Sequence, residues 1–176
     1  MSKSAEELYR EKLYRDSLKL YKETVELSDS LQDSEPFKNK NEDHAKILLS
    51  QIIKKAKVSV NIISSTLSLY DDTEIIDSLR SAINNGAKIK ILLDGEKDKI
   101  NLHNKFLTLC KESESCEVRI TPNKLKAHIT TRDGLAHRYC NDFTQHKAIA
   151  NFNDPHLVEI AETQVFGDYY SQQPAF

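Results

Sequence analysis

At 176 residues, with 39% apolar and 30% charged side chains, the chain is long enough for one domain with a real core plus one extra element. A formal net charge of −2 excludes a protein that coats nucleic acid indiscriminately. No apolar run approaches a bilayer span, and the start Met1-Ser2-Lys3-Ser4-Ala5-Glu6-Glu7 is neither signal nor transit peptide, so a cytoplasmic protein without a membrane partner is expected.

Residues 5–31 read as one amphipathic helix. Ser4 is placed to cap it, with Glu6 and Glu7 in its first turn. Tyr14, Leu18, Tyr21 and Val25 form a stripe, with Leu13, Leu20 and Leu27 beside it at intervals of seven. Such a face docks on the chain's own body or on a second copy. The polar segment 33–41, broken by Pro36, reads as a linker. The organisation expected is therefore a leading helix over 1–34, a linker over 35–41 and a domain over 42–176.

A regular alternation follows. A helix is expected over 42–56, a β-rich strand over 58–64, a helix over 73–85 stopped by Gly86, and an almost wholly apolar strand over 89–93 ending at Asp94-Gly95. A further helix is expected over 98–112. The rhythm then changes to short strands over 116–121, 125–132, 135–140 and 147–152, separated by Pro122-Asn123 and Asp133-Gly134. Asp154 and Pro155 open a last helix as cap and first helical residue. The order βαβα, four strands and a helix makes an α/β sandwich on a mixed sheet.

The charge is unevenly spread. Between Arg119 and Lys147 lie Arg119, Lys124, Lys126, Arg132, Arg138 and Lys147, together with His128, His137 and His146, opposed only by Asp133 and Asp142. This stretch fits either an anionic ligand or solvated strand edges, where lysine also discourages aggregation. Cys110, Cys116 and Cys140 are an odd number without framework spacing and read as reduced thiols. Cys110 and Cys116 with His103 do not have zinc-site spacing, and neither a metal nor a cofactor is expected. A hairpin turn accounts for Asp133-Gly134, and a turn also accounts for Asp94-Gly95, although the carboxyl end of a strand is where α/β folds place ligands.

The element order, together with Lys126-Ala127-His128-Ile129-Thr130-Thr131-Arg132-Asp133-Gly134, resembles one catalytic half of the phospholipase D superfamily over residues 42–170. That family carries His-x-Lys, four residues, then Asp. With Asp133 as the motif acid, Lys126 takes the histidine position and His128 the lysine position. Alternatively His128 is the family histidine, two residues are lost before Asp133, and Arg138 is the arginine that follows in divergent members. His103-Asn104-Lys105 also reads as His-x-Lys, but lies in a predicted helix with Cys110 where the acid belongs.

The resemblance implies a histidine nucleophile on phosphorus, a second histidine from another half or subunit as acid, and lysines on the phosphate, without metal. It makes His128 the catalytic candidate, with Lys126, Thr130, Arg138 and Asn151 as phosphate-binding candidates. Lys126, His128 and Thr130 are expected on one strand face. The altered motif implies a catalytically degenerate module that binds a phosphate-containing ligand, nucleic acid or nucleotide, in a prokaryotic regulatory or defence context. The alternatives are an active metal-independent nuclease working as a homodimer, and a structural subunit of a larger protein complex.

Overall fold

The computed structural model describes residues 3–142 and 147–176, and His146 lies outside the described residues. The elements are α1 (Ala5–Leu31), β1 (Phe37–Asn39), α2 (Glu42–Lys54), β2 (Ser59–Ser64), α3 (Thr73–Asn84), β3 (Lys88–Leu93), α4 (Lys105–Glu112), β4 (Cys116–Ile120), β5 (His128–Arg132), β6 (Ala136–Asp142), β7 (Lys147–Asn151), α5 (Pro155–Gln164) and α6 (Asp168–Ser171). Seven strands form one mixed sheet in the order β1-β7-β6-β5-β2-β3-β4. β2, β3 and β4 run parallel, and every other pairing is antiparallel. The α/β sandwich on a mixed sheet, led by a long helix, is the fold expected from the sequence.

Alternation along the strands decides the layers. Ile89, Ile91 and Leu93 point to one face and pack with Leu49, Ile53, Ile75, Leu79 and Phe106 of α2, α3 and α4. Leu92 and Ile129 point to the other face and meet Ala161, Phe166 and Tyr170 of α5 and α6. The turn Asp133-Gly134 joins β5 to β6 with both residues at positive φ, 53° and 69°, the geometry a two-residue hairpin requires. The Asp133 carboxylate accepts hydrogen bonds from the amides of Lys57, Val58 and Ser59 and so ties this turn to the start of β2.

Three local expectations are corrected. The helix expected over 98–112 is confined to α4, because Asn101 and Asn104 satisfy backbone groups that a helix would have used. Asn101 accepts from the His103 amide, and buried Asn104 caps α4 by accepting from the Leu107 amide while donating to the Leu67 carbonyl. His103 is therefore an exposed residue ahead of the cap rather than a helical one. Phe37–Asn39 within the segment read as a linker is an edge strand paired with β7. β5 begins at His128, so Lys126 is exposed ahead of the strand and does not share its face with His128 and Thr130.

α1 begins in a reciprocal cap between Ser4 and Glu7. Its carboxyl-terminal half docks on the domain: Tyr21 stacks on His44 at 3.8 Å, Val25 is fully buried, and Asp29 is paired with Arg132. Leu13, Leu20 and Leu27 face away from that contact and are 51%, 64% and 60% exposed.

Two histidines make the fold acid-sensitive. Burial holds His137 below its ordinary value near 6.5 against the opposing pull of Asp154 at 3.0 Å, and burial followed by the charge of Lys40 does the same to His44. The unfolded chain therefore binds protons before the folded chain does. Stability is complete above about pH 6.5 and falls as pH drops through the depressed folded values. Melting temperatures between pH 8 and about pH 5 should show this fall, and His137→Asn should flatten it. An identical pH profile in that variant would contradict the assignment.

Candidate functional site

The parallel strands β2 and β3 end side by side, and β5 enters antiparallel beside them, with Ile63 paired to Ile129. This arrangement places His128 next to Ser64 and Ser65 at one end of the sheet, across from Asp94 at the end of β3. Gly95 lets the two strand ends approach: a Cβ there would lie 2.2 Å from the Ser65 carbonyl oxygen, a distance that no larger residue tolerates without movement.

The polar groups converge closely. Ser65 Oγ donates to Asp94 Oδ1 at 2.9 Å, and His128 Nε2 lies 3.0 Å from Ser65 Oγ and 3.3 Å from Asp94 Oδ1. With the serine proton on the carboxylate, Nε2 must carry a proton and donate. Lys124 Nζ bonds Ser65 Oγ and sits 3.7 Å from Asp94 Oδ1. Asp94 also accepts from the Leu125 amide at 2.9 Å, and its side chain is entirely buried. Burial alone would raise its carboxyl, but the bonds from His128, Leu125 and Ser65 together hold it below the ordinary 3.8.

Arg138 lies opposite Thr130, and Cys140 opposite His128, in the β5–β6 pairing, so the four share one sheet face. Arg138 is 5% exposed and donates through Nε to Asn39 Oδ1 at 3.2 Å. Thr130 is buried and bonds Tyr70 Oη at 2.6 Å. Above them is a cavity of about 200 Å³ whose lining includes Ser65, Ser68, Tyr70, His128, Arg138 and Cys140. The hydroxyls, imidazole and guanidinium suit a compact anion.

The structure thus brings together His128, Thr130 and Arg138 of the residues singled out in the sequence. Lys126 is exposed beside the site. Asp133 is at the opposite end of β5, engaged with three backbone amides. Asn151 is not brought to the site: its amide donates to the Ser34 carbonyl and accepts from the Asn153 amide. The basic stretch is divided in the same way, with Arg132 turned to Asp29 and His137 to Asp154. Sequence reasoning missed Ser65 and Tyr70, named Lys124 only as one of the basic stretch, and accounted for Asp94 by a turn; the signal available was the strand-end position of Ser65 and Asp94.

Residues 49–149 match the family model described as "Cardiolipin synthase, PLD-like domain". The chain belongs to this phospholipase D-like family. No curated protein gives a significant sequence match. Among solved structures, the chain is similar to TrmBL2, an archaeal chromatin protein whose structure is described as showing a novel mode of DNA binding, at a TM-score of 0.62 and 16% identity. That alignment covers 97% of this chain and 66% of the other, so the phospholipase D-like chain spans about two thirds of TrmBL2. It is also similar to Nuc, a phospholipase D family member from Salmonella typhimurium (TM-score 0.57, 19% identity, 81% of this chain and 99% of that one). NucT from Helicobacter pylori aligns at a TM-score of 0.60 and 15% identity, over 81% of this chain and 100% of that one. Coverage of 97% takes in most of α1, so the leading helix belongs to the likeness with TrmBL2. Among the described residues no helix is long and apolar enough to cross a membrane.

Proposed function

We propose that the domain binds a phosphate-containing ligand, nucleic acid or nucleotide, in the cleft at His128 and has lost efficient phosphodiester cleavage. The observation that carries this reading is the direction of the His128 imidazole, whose Nε2 faces Ser65 Oγ at 3.0 Å and Asp94 Oδ1 at 3.3 Å. A phospho-histidine intermediate needs a nitrogen lone pair aimed at phosphorus at about 3–3.5 Å. The family lysine two residues on is replaced by Thr130, which is engaged with Tyr70. Binding survives these changes because Arg138, Lys124 and the hydroxyls remain. A regulatory or defence role in a prokaryotic cytoplasm is part of the same proposal, supported by the archaeal and bacterial sources of the similar structures.

The test is cleavage of labelled single-stranded DNA and RNA in EDTA, with His128→Ala beside wild type and binding recorded on the same samples. Salt-sensitive binding without cleavage is expected. EDTA-resistant cleavage abolished in His128→Ala would instead establish the alternative, an active nuclease with His128 as nucleophile or acid.

A second copy of the chain is the partner we propose for α1. Leu13, Leu20 and Leu27 recur at seven-residue spacing on the face turned away from the domain, which suits a paired helix. On this reading residues 1–34 form the dimerisation element, and the ligand-binding domain follows the 35–41 segment. Light scattering should give twice the chain mass for wild type and a monomer for a variant with Leu13, Leu20 and Leu27 changed to Ser. A monomeric wild type, or an unchanged mass in the variant, would remove α1 from the assembly.

A further inference from the structure

The cavity over Arg138 is not isolated. Ser65 and Thr66 line both it and a second, larger cavity of about 970 Å³ beyond Asp94. The two differ in chemistry. The smaller is polar and ends on a buried guanidinium. The larger has Ile120, Pro122, Pro174 and Gly95 in its walls, with Lys97, Lys124 and the Lys99–Glu96 pair around them and Asp94 on the side shared with the smaller cavity. Its size is within the range of small-molecule sites, about 300–1,000 Å³.

The larger cavity has a fixed frame. Asp94 is held by Leu125 and Ser65, and the Gly95 backbone is pressed against Ser65. On the far side the Ile120 amide donates to the Pro174 carbonyl, and the Phe176 amide to that of Val118, so residues 174–176 run along the outer edge of β4. Thr121, also in the lining, is held through Oγ1 by Tyr169 Oη at 2.8 Å.

We propose that the ligand is a nucleotide, with its phosphate in the polar cavity over Arg138 and His128 and its base and sugar in the larger cavity between Pro122, Ile120 and Pro174. This rests on the phosphate-binding reading above and adds the body of the ligand to it. Inorganic phosphate would fill only the polar end. A bare hydrocarbon would offer no charge to the Arg138 guanidinium or the His128 imidazole. A nucleotide matches both ends, because its base offers flat apolar faces to the two prolines while its phosphate meets the cationic groups. The base could come from a free nucleotide or from the terminus of a strand.

The test compares inorganic phosphate, adenosine 5′-monophosphate and a 5′-phosphorylated oligonucleotide by calorimetric titration of the full chain. The mononucleotide is expected to bind about tenfold more tightly than phosphate, the gain from burying roughly 60 Å² of apolar base surface. Ile120→Trp, which fills the larger cavity, should erase that gain and leave phosphate binding intact. Pro122→Ser, which strips the apolar face from the same wall without adding charge, provides a second variant should the bulk of the indole disturb β4. Equal affinity for phosphate and mononucleotide would overturn the inference while sparing the phosphate site, as would a gain that survives both variants. Absence of phosphate binding would overturn the phosphate-binding reading and this one together. An oligonucleotide matching the mononucleotide identifies a strand terminus as an acceptable source, and one that fails to bind identifies the free nucleotide; both support the cavity's role.

Discussion

Replacing Asp29 with Ala should cost about 3–5 kcal/mol and lower the melting temperature by roughly 10 °C. Asp29 is 6% exposed and accepts from Arg132 Nη1 at 3.1 Å, Arg132 Nη2 at 2.6 Å and Gln51 Nε2 at 2.6 Å. Arg132 is equally buried, so the substitution leaves a guanidinium without its counter-charge inside the protein. That residual charge, rather than the lost bonds, sets the size of the effect. The exposed pair Arg10–Glu6 on the same helix offers a control, with an expected change of about 0.3–0.5 kcal/mol. Replacing both partners, as Asp29→Leu with Arg132→Met, should recover much of the loss because no buried charge remains. A melting temperature unchanged by Asp29→Ala would mean that α1 does not pack on the domain in solution.

That pair also marks a limit of sequence reading. An acid in the last turn of α1 opposes the helix dipole, so local physics gives Asp29 no reason to be there. Its partner is 103 residues away, and only the fold brings them together. The same holds for Arg132 and His137, which a linear count assigned to a positive stretch and which turn instead to Asp29 and Asp154. Charge density along a sequence reports a surface only when the strands carrying it expose the same face.

What was legible had a local cause. Periodicity marked the helices, alternation and short apolar runs marked the strands, and Asp133-Gly134 marked a hairpin that needs two positive φ values. The helix boundary at Asn104 was missed because side-chain bonds from two asparagines outweighed an apolar pattern that continues through Ile100 and Leu102. At the site, His128, Thr130 and Arg138 were legible because two adjacent strands present them on one face. Ser65, Asp94 and Lys124 come from three separate loops and strand ends, and their convergence depends on the parallel β2–β3 pairing and on Gly95 permitting close approach.

The strongest consequence for the site concerns Asp94. Its carboxylate lies against the imidazole that would meet the ligand, and a phosphate entering there faces a fixed negative charge. Two unit charges about 4–6 Å apart interact by roughly 3–4 kcal/mol at an effective dielectric of 20, reduced here by Lys124 and by solvent at the cavity mouth. Asp94→Asn keeps a carbonyl oxygen to accept from the Leu125 amide while removing the charge. Affinity for inorganic sulfate, measured by calorimetry at low ionic strength, should therefore rise about tenfold or more. Acid does not imitate the substitution: because the folded carboxyl is held below 3.8, wild-type Asp94 stays ionised at about pH 5, and sulfate remains a dianion there. An affinity that is unchanged or weaker in Asp94→Asn would show that the carboxylate positions His128 for the anion instead of excluding it. Tighter binding would identify Asp94 as an internal counter-ion that the ligand must displace from His128 and Ser65.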